Sequence, residues 1–111
     1  MAKTIPSFLN GVPELLVLQL LSQRERYGYE LVQAIREASG AAFNFGEVCI
    51  YPYLHYLEET KLVGSRRTSV EGRSRLYYRL TPKGQKRLTE LTAEWNRVTK
   101  GVALVLGGAH A

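Results

Sequence analysis

Five arginines fall close together in this chain: Arg66, Arg67, Arg73, Arg75 and Arg79. Each carries a planar, permanently charged guanidinium fork that matches the geometry of phosphate oxygens. A cluster of this kind is chemistry for holding a polyanion rather than for making or breaking bonds. The plainer alternative is a solvated, charged hairpin. Residues that could do covalent chemistry are scarce. There is no Ser/His/Asp set, no paired carboxylates and no phosphate loop in a structural context, so no catalysis is expected. One cysteine and two histidines exclude an intrachain disulfide framework and a structural zinc site. No cofactor and no metal are expected.

The charge is unevenly placed. The 111 residues carry fifteen Lys/Arg and ten Asp/Glu, a formal net charge of +5. Residues 1–60 hold four basic and seven acidic side chains, a net of −3, whereas residues 61–90 hold nine basic and two acidic, a net of +7. The basicity therefore belongs to one segment on an otherwise neutral or acidic body. Composition is that of a folded protein, 45% apolar and 23% charged, and the length suits one domain. No apolar run approaches the ~18 residues of a membrane helix, and residues 1–10 lack the pattern of a secretory signal. A cytoplasmic protein with no membrane partner is expected.

The elements that must position the arginines follow from periodicity. A turn at Asn10-Gly11-Val12-Pro13 opens a first helix containing Leu15, Leu16, Leu18, Leu20 and Leu21, apolar on nearly every side and so expected at the centre of the molecule or of a dimer. Residues 23–27 read as a polar break. A second helix over 29–38 buries Leu31, Val32 and Ile35 and closes at Ser39-Gly40. Phe43 and Phe45 read as plugs for the core. A third helix lies between about 46 and 60, with Ile50, Leu54 and Leu57 as one buried stripe and Val48, Pro52, His55 and Glu59 opposite, flanked by Cys49, Tyr51 and Tyr56. Pro52 predicts either a kink or a regular helix that begins near it.

Residues 62–68 read as a strand, Ser69-Val70-Glu71-Gly72 as a turn and residues 73–80 as the returning strand, in which Leu76, Tyr78 and Leu80 alternate with Arg75, Tyr77 and Arg79. Thr81 and Pro82 predict the N-cap and first residue of a last helix. In it Leu88, Leu91, Trp95, Val98, Val102 and Val105 recur at alternating spacings of three and four, a seam of the coiled-coil kind. Gly101 weakens this helix locally and Gly107-Gly108 ends it. A narrow seam on a terminal helix is better met by a partner chain than by the chain's own core.

Three helices, a basic hairpin and a long helix make a mainly α fold with a small β-hairpin, a winged helix-turn-helix with a long C-terminal dimerisation helix. In that plan the third helix enters the major groove of double-stranded DNA and the hairpin holds phosphates. The third helix is unusual for a groove-reading element, because no Lys or Arg occurs between Arg36 and Lys61. Base contacts fall to Tyr51, His55 and Tyr56, and backbone contacts to Arg66, Arg67, Arg73 and Arg75.

The chain resembles the PadR family of bacterial transcriptional regulators, in the short form that lacks a second C-terminal domain. The resemblance rests on Tyr27-Gly28-Tyr29-Glu30-Leu31, on the run from Ile50 through Tyr51-Pro52-Tyr53-Leu54-His55-Tyr56-Leu57 to Glu58, on Leu62-Val63, on the run from Gly72-Arg73-Ser74-Arg75-Leu76-Tyr77-Tyr78-Arg79-Leu80 to Thr81-Pro82-Lys83-Gly84, and on Trp95. It implies residues 1–81 as the winged helix-turn-helix region and 82–108 as a dimerisation helix in one compact domain. It also implies a homodimer through Leu15, Leu18, Leu88, Leu91, Trp95, Val98, Val102 and Val105, and binding, usually repressing, at a promoter palindrome. The chain departs from the family at Val48 and Cys49, where small and hydroxyl residues are usual, and at Tyr56, where a cation is usual.

Three single residues carry two readings each. Trp95 resembles a tryptophan that stacks on planar aromatic ligands at the dimer centre of some short members, or it packs the dimer core. Cys49 is a redox switch or a plain helix residue with no cation beside it in sequence. His55 is a metal ligand or, lacking a second ligand nearby, a polar groove residue. The whole chain is then a DNA-binding repressor, with or without an aromatic effector, or a winged-helix module for protein contacts that has lost DNA binding.

Overall fold

The computed structural model describes residues 11–107. The readings on residues 1–10 and on Gly108 lie outside them. The order is α1 (Val12–Gln23), β1 (Arg26–Tyr27), α2 (Gly28–Ala38), α3 (Glu47–Glu59), β2 (Val63–Val70), β3 (Arg73–Leu80) and α4 (Pro82–Val105).

α1 is buried on several sides because it is apolar on several sides. Val17, Leu18 and Leu21 are closed off from solvent and Leu20 nearly so, and the helix touches α2, α3, α4 and β3. Around it pack Leu31 and Ile35 of α2 and Ile50, Leu54 and Leu57 of α3, with Leu62, Val63, Tyr78 and Leu88 completing one core. Phe43 and Phe45 stack on each other at 5.4 Å and lie half-buried against this core. Among the described residues no buried side-chain nitrogen or oxygen lacks a hydrogen-bond partner.

α3 begins at Glu47 and carries Pro52 inside it, so the regular helix does not wait for the proline. Pro52 costs α3 one amide donor. Three fully buried side chains on the opposite stripe, each contributing roughly 1.5–3 kcal/mol by leaving water, hold the helix in spite of it. α3 ends in a Schellman closure: the Leu62 amide donates to the Leu57 carbonyl at 2.9 Å and the Lys61 amide to Glu58 at 3.1 Å, with Lys61 at φ 68°. This reverses the chain directly into β2.

The hairpin is longer and its turn tighter than expected. β2 runs to Val70, and the strands join through Glu71 and Gly72, both at positive φ (52° and 78°), the two-residue turn whose twist matches the flanking strands. The sheet has a third strand that the polar break at 23–27 concealed. Arg26 and Tyr27 pair antiparallel with Tyr78 and Tyr77, giving the order β1-β3-β2. A two-residue strand leaves no alternation to read. The Arg26 guanidinium also donates to the Leu20 carbonyl (3.2 Å), which ties this strand to the end of α1.

α4 is capped as expected, the Thr81 hydroxyl accepting from the Gly84 amide at 3.0 Å with Pro82 as the first residue. It then outruns the core. At ~1.5 Å per residue its 24 residues span about 36 Å, and the radius of gyration is 15.5 Å against the ~13 Å of a compact chain near this length. The seam emerges progressively: Leu88 is 5% exposed, Trp95 41%, Val102 52% and Val105 86%. Two of the expected interface residues are packed into the chain's own core. Leu18 is 0% exposed and Leu88 5% in the single chain.

Gly84 sets the angle at which α4 leaves the sheet. A Cβ there would lie 2.0 Å from the Leu62 carbonyl oxygen. Alanine would gain about 1 kcal/mol in helix propensity but must push backbone apart. Gly84→Ala is expected to destabilise the chain by a net ~1–3 kcal/mol, whereas Gln85→Ala, on the exposed face beside it, should stay within about 0.5 kcal/mol. Urea unfolding of both variants at one protein concentration checks this.

Candidate nucleic-acid interface

The buried stripe of α3 decides what its other face shows. With Ile50, Leu54 and Leu57 turned fully inward, Val48, Pro52, His55, Tyr56 and Glu59 are exposed and Cys49, Tyr51 and Tyr53 half-buried. The face is aromatic and apolar with exposed carboxylates at its two ends, Glu47 and Glu59, and no Lys or Arg lies on it. α2 and α3 meet closely through the Tyr-Gly-Tyr segment at 27–29. A Cβ on Gly28 would fall 2.3 Å from the Tyr51 ring, so glycine admits that ring against the start of α2. The same turn is closed by Glu30, whose carboxylate accepts from the Tyr27 amide at 3.0 Å. Burial pushes the Tyr51 phenol above its ordinary range, and the Glu47 carboxylate adds to the shift.

The five hairpin arginines do not form one patch. Antiparallel register places Arg66 opposite Tyr77, Arg75 opposite Thr68, Arg73 opposite Val70 and Arg79 opposite Gly64, and directly paired residues share a face. Arg66, Arg73, Arg75 and Arg79 thus lie on one face. Arg67, opposite Leu76, lies on the other, with its guanidinium on the Ser74 hydroxyl at 3.2 Å. On the four-arginine face, Arg75 sits over the Tyr27 ring at 4.3 Å, Tyr27 meets Tyr77 edge-on at 5.5 Å, and Arg66 lies over Tyr77 at 5.6 Å. This alternation of cations and rings links the hairpin to the segment before α2. Glu25 closes it with an ion pair to Arg66 at 2.6 Å, and that hydrogen bond holds the Glu25 carboxyl below its usual range. Arg73 stands exposed at the tip beside the turn.

A cleft of about 290 Å³ brings the two parts together. It is lined by Tyr51 and His55 of α3, Arg75, Leu76 and Tyr78 of the hairpin, and Tyr27, Gly28 and Tyr29 before and within α2. Three of the residues singled out for DNA, Tyr51, His55 and Arg75, therefore share one concavity. Tyr56 is exposed on the far flank of α3, and Arg66 and Arg67 are not among the residues that line the cleft, although Arg67 pairs with the lining residue Leu76. The role of Tyr27 was not read from the sequence. Its signal is the Tyr-Gly-Tyr spacing, which takes on meaning only once β1 is seen to pair with β3.

The second candidate region is the seam. Trp95 lines a cleft of about 210 Å³ with Gly11, Val12, Leu15, Leu91, Glu94 and Val98, between α1 and α4. Beyond it the end of α4 is apolar on more than the seam: Leu104 and Leu106 are 65% and 78% exposed. The unbroken run Val102-Ala103-Leu104-Val105-Leu106 is the signal that reading only the three-four spacing passes over.

Among the described residues no group of three His, Cys, Asp or Glu side chains could hold a metal ion, and no helix is long and apolar enough to cross a membrane. Burial raises the Cys49 thiol above its ordinary range. Its thiolate fraction at neutral pH is then smaller than that of a free cysteine. Alkylation by iodoacetamide at pH 7.5 should be slower than for free cysteine, and the rate should climb over a higher pH range. Faster reaction than free cysteine would instead mark an activated thiol.

Residues 17–90 match the family model of the Transcriptional regulator PadR-like family. An uncharacterised protein of Lysinibacillus sphaericus is 31% identical over 101 residues, covering 90% of this chain and 93% of that one. A transcriptional regulator of Mycobacterium tuberculosis is 35% identical over 83 residues, 75% of each chain. A solved transcriptional regulator of Clostridium thermocellum superposes with a TM-score of 0.81 at 28% identity, covering 87% of this chain and 95% of that one. A helix-turn-helix with a basic hairpin, matched over two-thirds of its length by one family, leaves no room for a different assignment: the chain belongs to the PadR-like family of transcriptional regulators, DNA-binding regulators rather than enzymes.

Proposed function

We propose that the chain is a homodimeric, cytoplasmic repressor that binds a promoter palindrome through α3 and the hairpin. The observation that carries this is the shared cleft: the outer face of α3 and Arg75 of the hairpin, twenty residues apart from His55, open on the same side. A groove-reading helix and a phosphate-holding wing must face one duplex together. In this reading residues 1–81 form the DNA-binding region and 82–108, which contain α4, the dimerisation region. Tyr51, His55 and Tyr56 face the bases, while Arg66, Arg67, Arg73 and Arg75 hold the backbone. Arg66 contributes least, because Glu25 already neutralises it.

The dimer is supported by the apolar surface that α4 carries past the core. Trp95, Val98, Val102 and Val105, with Leu15 and Leu91, form the contact, joined by Leu104 and Leu106. Light scattering should give twice 12.5 kDa, and Val102→Asp should give the monomer mass, since an unpaired buried charge costs several kcal/mol. Trp95, half-exposed beside a cleft, is the proposed contact for a planar aromatic effector. Quenching of its fluorescence by such compounds, absent with aliphatic ones of equal size, is the expected outcome.

DNA binding is tested by mobility shift with the chain's own upstream region at 50 mM salt. The double variant Arg73→Ala, Arg75→Ala should bind at least tenfold more weakly, because two phosphate contacts are lost in each subunit. The protein-contact reading rests on the cation-free face of α3. It predicts no shift at all.

A further inference from the structure

Val48 is the most exposed large apolar side chain described, at 91%. It is the second residue of α3, in the turn that a recognition helix points at base edges. Successive steps of about 100° put Pro52 roughly 40° and His55 roughly 20° from it around the helix, and all three are exposed. The apolar pair has no place in the core, which already takes Ile50, Leu54 and Leu57.

The chemistry that this face can read is narrow. Guanine is read in the major groove chiefly by the forked donors of Arg or by Lys, and α3 has neither. Cytosine is read by a carboxylate. Glu58 is turned to the sheet, where it accepts from the Ser65 hydroxyl, and Glu59 stands at the last turn. Glu47, in the first turn, lies about 100° around the helix from Val48, on the side of Tyr51, whose phenol is raised by burial and by the Glu47 charge. Adenine is read by the forked amides of Asn or Gln, and α3 has none. Beside the polar contacts of His55 and the tyrosines, one base-edge group is recognised by an apolar side chain, the C5-methyl of thymine.

We infer that Val48, backed by Pro52, is a specificity-determining residue that packs on thymine methyl groups, so that the half-site is selected by methyl contact rather than by arginine forks. This rests on the DNA-binding reading above and makes it finer. A small residue at position 48 would leave a gap over the methyl. Removing one buried methyl from water-excluded contact is worth a factor of about three to five, and two half-sites give about tenfold.

The experiment uses a pool of duplex DNA selected by the full chain from random fragments at 50 mM salt, then copied with either thymidine or deoxyuridine triphosphate. Uracil pairs as thymine does but lacks the methyl. The wild-type chain should bind the uracil copy about tenfold more weakly. Val48→Ala, an exposed change that leaves the core untouched, should bind the thymine copy more weakly and distinguish the two copies by less than twofold. Equal wild-type affinity for both copies would overturn the methyl contact while leaving DNA binding intact. Unchanged discrimination by Val48→Ala would assign the effect to duplex shape and overturn the role of Val48. Failure of any pool to enrich would overturn both the DNA-binding reading and this one.

Discussion

The complete burial of one stripe of α3 is the constraint on which the rest of the structure depends. Ile50, Leu54 and Leu57 sit at i, i+4 and i+7 and have no accessible surface. Deleting any one of them would cost about 2–5 kcal/mol, a large part of the stability of a small domain. The rotation of the helix is therefore fixed. Val48, Pro52 and His55 must face outward, an interior proline must be accepted, and the chain must leave α3 at the angle that the Lys61 closure sets. The surface that α3 presents is a consequence of its core face.

The hairpin is placed by different forces. Little of it is buried beyond Val63 and Tyr78, and apart from Val70 its exposed side chains are polar. What keeps it beside α3 is the Ser65 hydroxyl's hydrogen bond to Glu58, the pairing of β1 with β3 and the chain of cation and ring contacts from Arg66 through Tyr77 and Tyr27 to Arg75. Cation–ring contacts at exposed sites are worth about 0.5–1 kcal/mol each, less than a buried leucine. The hairpin is accordingly the softer part of the site. The exposed Glu25–Arg66 pair adds little to stability, but it changes which arginines are free to meet a polyanion.

The fold was largely legible in the sequence because its strongest signals are periodic. The stripes of α2, α3 and α4, the alternation of β3 and the Thr81-Pro82 cap each repeat or punctuate a pattern. What was not legible was either too short or set by tertiary pairing. β1 has two residues and no alternation. Leu88 carries the same pattern as the open seam and Leu18 sits in a helix apolar on nearly every side, and only packing separates a residue in its own core from one left for a partner. The five arginines looked like one patch because strand alternation assigns faces only after the register is known, and Arg67 falls on the face opposite the other four. The site was half-legible: residue types pointed to Tyr51, His55 and Arg75, but the cleft that unites them depends on Gly28 and Tyr27.

A reading helix with three carboxylates and no Lys or Arg leaves affinity to the hairpin. If α3 contributes shape and methyl contacts while the arginines carry the charge, the binding energy must be largely counterion release. The most direct measurement is the affinity for the upstream region as a function of salt. Six to ten phosphate contacts across a dimer predict a fall of about 10³–10⁵ between 50 and 200 mM. An affinity unchanged across that range, or no binding at 50 mM, would contradict a dimer held on DNA by its hairpin arginines.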